Sequence, residues 1–252
     1  MVARMKKWWM ALTVVVAIGL AATAAYAMAV QPIILDLLSA GRRTSAVITV
    51  ENTFQTPLPV ELTAVVAEIQ PDGTLRPTEQ ETDDLLVFPP AAIIQPGRSQ
   101  TFRVQYVGEP DIQTSRHYMV RVAQQPVAFP SDTSAVQVVY NFQVIVNVGV
   151  VGQRPNVRVI RGEIENVEGQ PRAALLLEND APTYGYLAAG GLRIVQKDES
   201  GREIFRTVLN SEEIVQQIGY GMVAANGRRR LVTPIALPQM GGTLEVQYAP
   251  GR

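Results

Sequence analysis

The strongest constraint on the fold is one long alternating segment, Val136–Val151, which reads VQVVYNFQVIVNVGVV. Its even-numbered positions are all apolar, and several of its odd-numbered positions carry Gln or Asn. Alternation with a period of two is typical of a β-strand, and this one would extend about 50 Å at the usual rise per residue. Typical strands have about 5–6 residues. A single small sandwich is too short to cover the segment, so the strand either bends across a domain junction or lies partly on an open edge.

This segment has two interpretations. It is a core strand of a large sandwich, or its edge stays open and pairs with another chain by strand addition. No charged residue occurs between Asp132 and Arg154, although exposed edges are normally protected by Lys or Pro. On the second interpretation, the even-numbered side chains fill a groove in the partner. The predicted binding residues of this donor strand are Val136, Val138, Tyr140, Phe142, Val144 and Val146.

Strand patterns recur at short intervals along the rest of the chain, separated by Gly, Pro, Asn and Asp. At least twelve are expected, which predicts an all-β protein of two sandwich domains. Gly152–Pro155 is the expected linker, with an N-terminal domain at 28–151 and a C-terminal domain at 152–252. Glu79–Asp84 is predicted to be an acidic loop, and Ser211–Gln217 a helical turn with Ser211 as its N-cap.

The first 27 residues have the pattern of a secretory signal peptide. Arg4, Lys6 and Lys7 precede an apolar run, and Ala25–Ala27 is a small-x-small cleavage site. An overlapping site would cut after Ala29, and an uncleaved membrane anchor is the alternative. Cleavage after Ala27 removes three of the 22 basic residues and none of the 23 acidic ones, so the net charge changes from −1 to −4.

Composition excludes several functions. The net charge offers no electrostatic basis for nucleic-acid binding. The absence of cysteine excludes disulfides and thiolate metal sites, and no cofactor or metal is expected. His117 is the only histidine, so it cannot form a histidine cluster and is interpreted as structural. The carboxylate pairs Glu163/Glu165 and Asp83/Asp84 leave an enzyme as a weak alternative. Export without cysteine favours a bacterial envelope protein.

Two further stretches are notable. Residues 88–104 read FPPAAIIQPGRSQTFRV, and the Pro89-Pro90 pair interrupts a strand because proline cannot donate a ladder hydrogen bond. Arg228, Arg229 and Arg230 follow the turn-type pair Asn226-Gly227. The three arginines are interpreted as the charged start of a strand, with a protein or lipid contact as the alternative.

The first of these stretches resembles the PapD-like periplasmic chaperones of pilus assembly. Its Pro-Pro, Pro-Gly and Arg103 occur in that family's order and spacing. Gly41–Asn52, Tyr118–Pro126 and the position of the long strand are also similar, whereas LLLEN at 175–179 and residues 219–231 match more weakly and look closer to the archaic-type branch.

The resemblance implies two immunoglobulin-like β-sandwiches at an angle, after a signal peptide. It implies a periplasmic, non-enzymatic chaperone of a Gram-negative bacterium that donates its long strand to a pilin-like subunit and delivers it to an outer-membrane usher. After signal cleavage no membrane insertion is expected. The Pro-Pro pair would let a strand change sheets. The alternative is a two-domain surface or adhesion protein without chaperone activity.

The sequence departs from the family at one site. The family holds its subunit's C-terminal carboxylate with two basic residues, one early in the first strand and one on the donor strand. Here these positions fall near Asp36 and near Gln143 or Ile145. Neither position is basic, so a charge-assisted clamp of that kind is not expected.

Overall fold

A computed structural model describes residues 28–126 and 138–251, and all structural statements refer to these ranges. The described chain forms two β-sandwiches with separate hydrophobic cores. The first core includes Val50, Phe102 and Val146, and the second includes Leu175 and Ile194. The prediction of an all-β, two-sandwich protein is confirmed.

The first sandwich consists of two sheets. The strands are β1 Met28–Gln31, β2 Ile34–Leu38, β3 Ser45–Asn52, β4 Leu58–Ile69, β5 Leu75–Glu81, β6 Leu85–Phe88, β7 Ala91–Ile94, β8 Ser99–Tyr106, β9 Arg116–Gln124 and β10 Asn141–Gly149. One sheet has the order β1-β3-β8-β6, and the other has the order β2-β10-β9-β4-β5, with β7 also paired to β4. A short 3-10 turn at Gly41–Arg43 connects β2 to β3.

At two places the chain passes from one sheet to the other at a proline. β6 pairs with β8, whereas β7, which follows Pro89-Pro90, pairs with β4 in the opposite sheet. β1 pairs with β3, and after Pro32 the chain continues as β2 beside β10. The prediction that Pro89-Pro90 lets a strand change sheets is therefore confirmed. The physical reason is the missing N–H of proline, which ends one ladder and frees the chain to join another.

The second sandwich follows after residue 156. Its elements are β11 Val157–Val167, β12 Gln170–Asn179, β13 Gly185–Tyr186, β14 Gly190–Lys197, β15 Glu203–Leu209, α1 Ser211–Gln217, β16 Met222–Val223, β17 Gly227–Ala236 and β18 Thr243–Pro250. Its two larger sheets have the orders β11-β12-β17 and β15-β14-β18, and β13 pairs with β16. A 3-10 turn at Leu187–Ala189 precedes β14.

Two buried asparagines end strands in equivalent ways. Asn52 at the end of β3 donates from Nδ2 to the carbonyl oxygens of Thr56 and Ile94, at 2.9 and 2.8 Å. Asn179 at the end of β12 donates to the carbonyl oxygens of Thr183 and Ala224, at 2.8 and 3.0 Å. Each amide satisfies main-chain carbonyls of two separate segments and so ties them to the end of its strand.

Three local predictions need correction. Glu79 and Glu81 lie in β5 rather than in a loop, because Leu75–Glu81 pairs with β4 at its edge. The N-cap of α1 is Asn210 and not Ser211. The Asn210 side chain accepts from the Glu213 N–H, and the Glu213 carboxylate accepts from the Asn210 N–H. The long strand spans Asn141–Gly149, so it is shorter than the alternating segment.

Candidate functional site

β10 is paired along nearly its whole length on one side but only along its second half on the other. On one side it pairs with β9 along Asn141–Val148. On the other side, β2 pairs only with Ile145–Gly149. Within the described ranges, no strand pairs with Asn141–Val144 on that second side. These residues form an open edge.

The main-chain hydrogen bonds identify which groups face this open edge. The Gln124 N–H donates to the Tyr140 carbonyl at 2.9 Å, so the even-numbered residues of β10 direct their groups toward β9. The Ile145 N–H donates to the Ile33 carbonyl at 2.9 Å, so the odd-numbered residues direct theirs toward the β2 side. Antiparallel ladders alternate in this way. The N–H and C=O groups of Asn141 and Gln143 therefore point at the open edge.

The side chains of β10 do not face in the predicted directions. Val144 and Val146 are both 0 % exposed in the chain's own core. Phe142 is half-buried against the same core, and the Tyr140 ring lies 5.7 Å from the Phe54 ring. Val138, before the strand, is exposed, and Val136 lies outside the described residues.

The prediction that even-numbered side chains fill a partner's groove is therefore wrong for Val144 and Val146. The physical reason is that the more apolar face of the strand is needed to close the sandwich's own core. The outward face carries Asn141 and Gln143, both exposed, and the half-buried Ile145.

The positions expected to be basic form a different kind of site. Asp36 on β2 lies opposite Asn147 on β10 in the parallel register. Asp36 Oδ1 accepts hydrogen bonds from the hydroxyls of Tyr184 and Tyr186, at 2.7 and 2.8 Å, and from Asn147 Nδ2 at 3.2 Å. Both tyrosines belong to the second sandwich. The Asp36 carboxylate therefore connects the two sandwiches. Among the described residues, the site has a carboxylate of its own and no basic side chain that would bind the carboxylate of a partner.

His117 completes this network. Its Nδ1 lies 2.7 Å from Asn147 Oδ1, and its ring packs edge-on against Tyr184 with centroids 5.6 Å apart. With Nδ1–H donating to the amide oxygen, the Asn147 amide nitrogen remains free to donate to Asp36 and to the Tyr186 hydroxyl, at 2.9 Å. In this arrangement every named atom of the network has a donor or acceptor that matches it.

Burial explains the pKa directions in the network. It lowers the pKa of His117, while the hydrogen bond to Asn147 and the charge of Asp36 oppose that shift. Burial and the neighbouring Asp36 charge raise the pKa of both Tyr184 and Tyr186. At neutral pH the tyrosines are therefore hydroxyl donors, as the geometry requires.

A second set of polar contacts holds the sandwiches together beside this network. The Ser115 N–H donates to the Pro182 carbonyl at 3.1 Å, and the Tyr184 N–H donates to Ser115 Oγ at 2.7 Å. The Val150 N–H donates to Thr183 Oγ1 at 3.3 Å. Residues 182–186 of the second sandwich therefore pack on the ends of β9 and β10, and a cleft lies between the two sandwiches.

Three of the four candidate catalytic carboxylates have structural partners, and the fourth, Asp83, is exposed. Glu163 and Glu165 both pair with Arg230, at 3.3 and 2.5 Å. Asp84 accepts from the Tyr118 hydroxyl at 2.6 Å and pairs with Arg116 at 3.2 Å. Among the residues the structure describes, no group of three or more His, Asp or Glu side chains is placed to hold a metal. No helix in the same ranges is long and apolar enough to cross a membrane.

The sequence does not identify Tyr184 and Tyr186 as residues of this network. Both tyrosines occur in PTYGYL, a stretch with no strand pattern.

Comparison with known proteins gives the fold its context. No protein-family model and no curated protein matches this sequence. Solved structures match over nearly the whole chain. The class 5 fimbriae chaperone CfaA is 11 % identical with a TM-score of 0.51, covering 88 % of this chain and 98 % of its own. The chaperone YadV is 14 % identical with a TM-score of 0.51, covering 88 % and 91 %.

A third match is a chain from the Salmonella enterica complex of SafA pilin with the SafB chaperone. It is 15 % identical with a TM-score of 0.51, covering 91 % of this chain and 98 % of its own. At identities this low, the similarity is evidence for architecture. This chain therefore has the two-domain β-sandwich fold of the PapD-like chaperones.

Proposed function

We propose that this protein is a chaperone of pilus or fimbrial assembly that stabilises a subunit by adding the edge of β10 to the subunit's incomplete sheet. The observation that carries this proposal is the open edge at Asn141–Val144, whose free N–H and C=O groups belong to Asn141 and Gln143. The related folds support it, since CfaA and YadV are chaperones and SafB is a chaperone in complex with a pilin.

The energetics follow from the facing of β10. Since Val144 and Val146 are already buried in their own core, they add nothing on binding. The gain comes from main-chain hydrogen bonds at about 0.5–1.5 kcal/mol each and from burial of the half-exposed Ile145. We therefore expect the partner's strand beside β10 to carry polar side chains on the face that contacts Asn141 and Gln143. A donor strand that contributed only valine side chains would instead require an apolar face.

The finer features of the function are part of the same proposal. The signal segment 1–27 is removed on export, and the protein acts in the periplasm and passes its subunit to an outer-membrane usher. Its two units divide at 151/152, next to Gly152, whose positive φ of 76° suits a link between domains. It works without an enzyme's chemistry, and its carboxylates Glu163, Glu165 and Asp84 serve as structural ion-pair and hydrogen-bond partners.

The test is capture of a secreted subunit encoded beside the gene, by co-expression and purification of a 1:1 complex. Gln143→Pro removes an N–H that faces the open edge and leaves the even-numbered bonds to β9 in place. Gln143→Val is the matched control, because it changes the same side chain and keeps the N–H. We expect Gln143→Pro to abolish capture and Gln143→Val to retain it.

Two results would contradict the proposal. One is equal capture by the folded Gln143→Pro variant, with folding checked by circular dichroism. The other is recovery of the protein in sheared surface fibres, which would favour the alternative of a structural surface protein. A chaperone would stay in the soluble periplasmic fraction.

A further inference from the structure

One hairpin of the first sandwich extends beyond its sheet. β4 pairs with β9 as far as Val66, and in the described part of the chain the last residues of β4, Ala67–Ile69, pair only with Leu75–Pro77 of β5. The register between β4 and β5 shifts just before Ala67, so a bulge separates this outer part of the hairpin from the sheet. A bulge bends its strand and redirects the residues that follow. We call residues 67–77 the arm.

The turn at the tip of the arm is held by its own hydrogen bonds. The Gln70 N–H donates to the Thr74 carbonyl, and the Gly73 N–H donates to the Gln70 carbonyl, both at 2.8 Å. Asp72 Oδ1 accepts from the Thr74 N–H at 2.9 Å and from the Thr74 hydroxyl at 2.7 Å. A two-stranded hairpin alone is only marginally stable in water. The arm therefore depends on contacts outside itself for its position.

The tip of the arm contacts the second sandwich through Gly73 and Arg229. A Cβ atom on Gly73 would lie 2.2 Å from Arg229 Nε, so the guanidinium packs directly on the glycine. Arg229 Nη1 donates to the Met222 carbonyl at 2.7 Å, which fixes the guanidinium on its own sandwich. Burial lowers the pKa of Arg229, and the charge of Asp72 opposes this shift, so the tip and the guanidinium also attract each other.

The arm closes one side of a cavity of about 340 Å³ between the two sandwiches. The walls of the cavity come from the arm, the first sandwich and the second sandwich, and they include Gly73, Leu75, Ile34, Ile145, Tyr220 and Met222. Leu75 and Ile145 also pack on the same small buried cluster, which contains Val65 and Met119. The arm therefore covers apolar side chains beside the end of the open edge of β10.

Two opposing effects act on the closed position of the arm. Closure buries apolar surface under Leu75, but it leaves the Arg229 Nε–H buried without an acceptor. An unpaired buried donor is unfavourable, and opening would return this group to water. The bulge before Ala67 lets the arm bend while β4 stays paired with β9. These effects favour two populated positions of the arm, one closed and one open.

We propose that the arm and Arg229 form a clasp between the two sandwiches, which is closed over the cavity in the free protein and opens when a partner strand is added to β10. This inference rests on the proposed function. β2 occupies the edge of β10 from Ile145 onward, so a chain paired with Asn141 and Gln143 must leave the sheet next to the cavity. Opening the clasp makes room for that chain, and the closed clasp keeps the apolar walls covered until a partner arrives.

Two glycines with similar backbone angles provide a matched test. Gly73 has a φ of +77° and Gly97 has a φ of +66°, so alanine is strained at both positions. A Cβ atom at Gly97 would meet nothing within 4 Å, whereas one at Gly73 would strike the guanidinium. Gly73→Ala should therefore release the clasp, and Gly97→Ala is the control that carries the strain alone. Arg229→Ala should release it as well, and its control is Arg228→Ala, because Arg228 pairs with Glu178.

Two measurements on the full exported chain follow the clasp without a partner. NMR order parameters report the motion of the arm amides, and the neutral dye Nile red reports exposure of the apolar walls. In Gly73→Ala and Arg229→Ala we expect the order parameters at 70–76 to fall from about 0.85 to below about 0.6, and dye fluorescence to rise. The controls should show neither change. Gly73→Ala should add nothing in the Arg229→Ala background, because the atoms that its Cβ strikes are then absent.

Competition for the secreted subunit encoded beside the gene tests the link to the partner. Gly73→Ala and the unmodified protein are co-expressed with the subunit, and mass spectrometry measures how much of it each captures. With about one molecule in ten open at rest, release of the clasp should tighten capture by about tenfold, because apparent affinity scales with the open fraction. A merely structural contact would lower the melting temperature of Gly73→Ala and leave the capture ratio unchanged.

Equal order parameters and dye fluorescence in Gly73→Ala and Gly97→Ala would overturn the clasp, and capture that is lost only in Gln143→Pro would still support the chaperone function. A mobile arm with an unchanged capture ratio would overturn the opening of the clasp by a partner. Failure of the proposed function has a different signature, which is the absence of capture by the unmodified protein.

Discussion

Replacing Val144 or Gln143 by alanine tests which face of β10 belongs to the protein's own core. Val144 is 0 % exposed, whereas Gln143 is exposed and points away from the core. Val144→Ala removes two buried carbon groups, at about 0.8 kcal/mol each for transfer to water. The cavity that remains raises the loss of unfolding free energy to roughly 2–3 kcal/mol. Gln143→Ala should change it by less than about 0.5 kcal/mol.

Differential scanning calorimetry measures both variants against the unmodified protein. The loss in Val144→Ala corresponds to a melting temperature about 5–10 °C lower for the transition of the first sandwich. Gln143→Ala should melt within about 2 °C of the unmodified protein. If Gln143→Ala were destabilised as much as Val144→Ala, the two faces of β10 would not differ in burial, and the assignment of Val144 to the core face and of Gln143 to the outward face would be refuted.

Three further predictions concern the network and the helix cap. Because burial lowers the pKa of His117 below 6.5, the unfolded chain takes up its proton first, so stability should fall as the pH drops below about 6.5. His117→Asn should flatten that part of the melting-temperature profile, and an unchanged slope would contradict the assignment. Tyr184→Phe removes the 2.7 Å hydrogen bond to Asp36 and should cost about 1 kcal/mol in urea unfolding; no loss would show that the bond is unimportant. Asn210→Ala should cost about 1 kcal/mol, with Glu213→Gln, which retains an acceptor, costing less.

The sequence predicted the architecture well for a physical reason. Period-two alternation and turn residues directly encode strands and their ends, as at Thr44–Val50 and Gln100–Tyr106. The crossing at Pro89-Pro90 is also predictable, since proline cannot continue a ladder. A short strand without alternation, such as Ile34–Leu38, gives no such signal, because its pairing depends on a distant strand.

The candidate site was less predictable. Alternation in Val136–Val151 shows two faces but does not say which one closes the protein's own core. The prediction that Val144 and Val146 contact a partner assigned the core-facing side chains to the outward face. The hydrogen-bond network around Asp36 forms only where the two sandwiches contact each other. It joins Asp36 and Asn147 of the first sandwich to Tyr184 and Tyr186 of the second. Sequence separations such as the 148 residues from Asp36 to Tyr184 carry no local signal.

The two proline crossings have a mechanical consequence for the first sandwich. Because the β1–β2 and β6–β7 segments each join opposite sheets through two residues, the sheets are covalently tied at two places. Neither sheet can peel away without breaking ladders in the other. A protein that keeps an unpaired edge benefits from such ties, because thermal opening of the sandwich would expose far more unpaired backbone than the short stretch at Asn141–Val144.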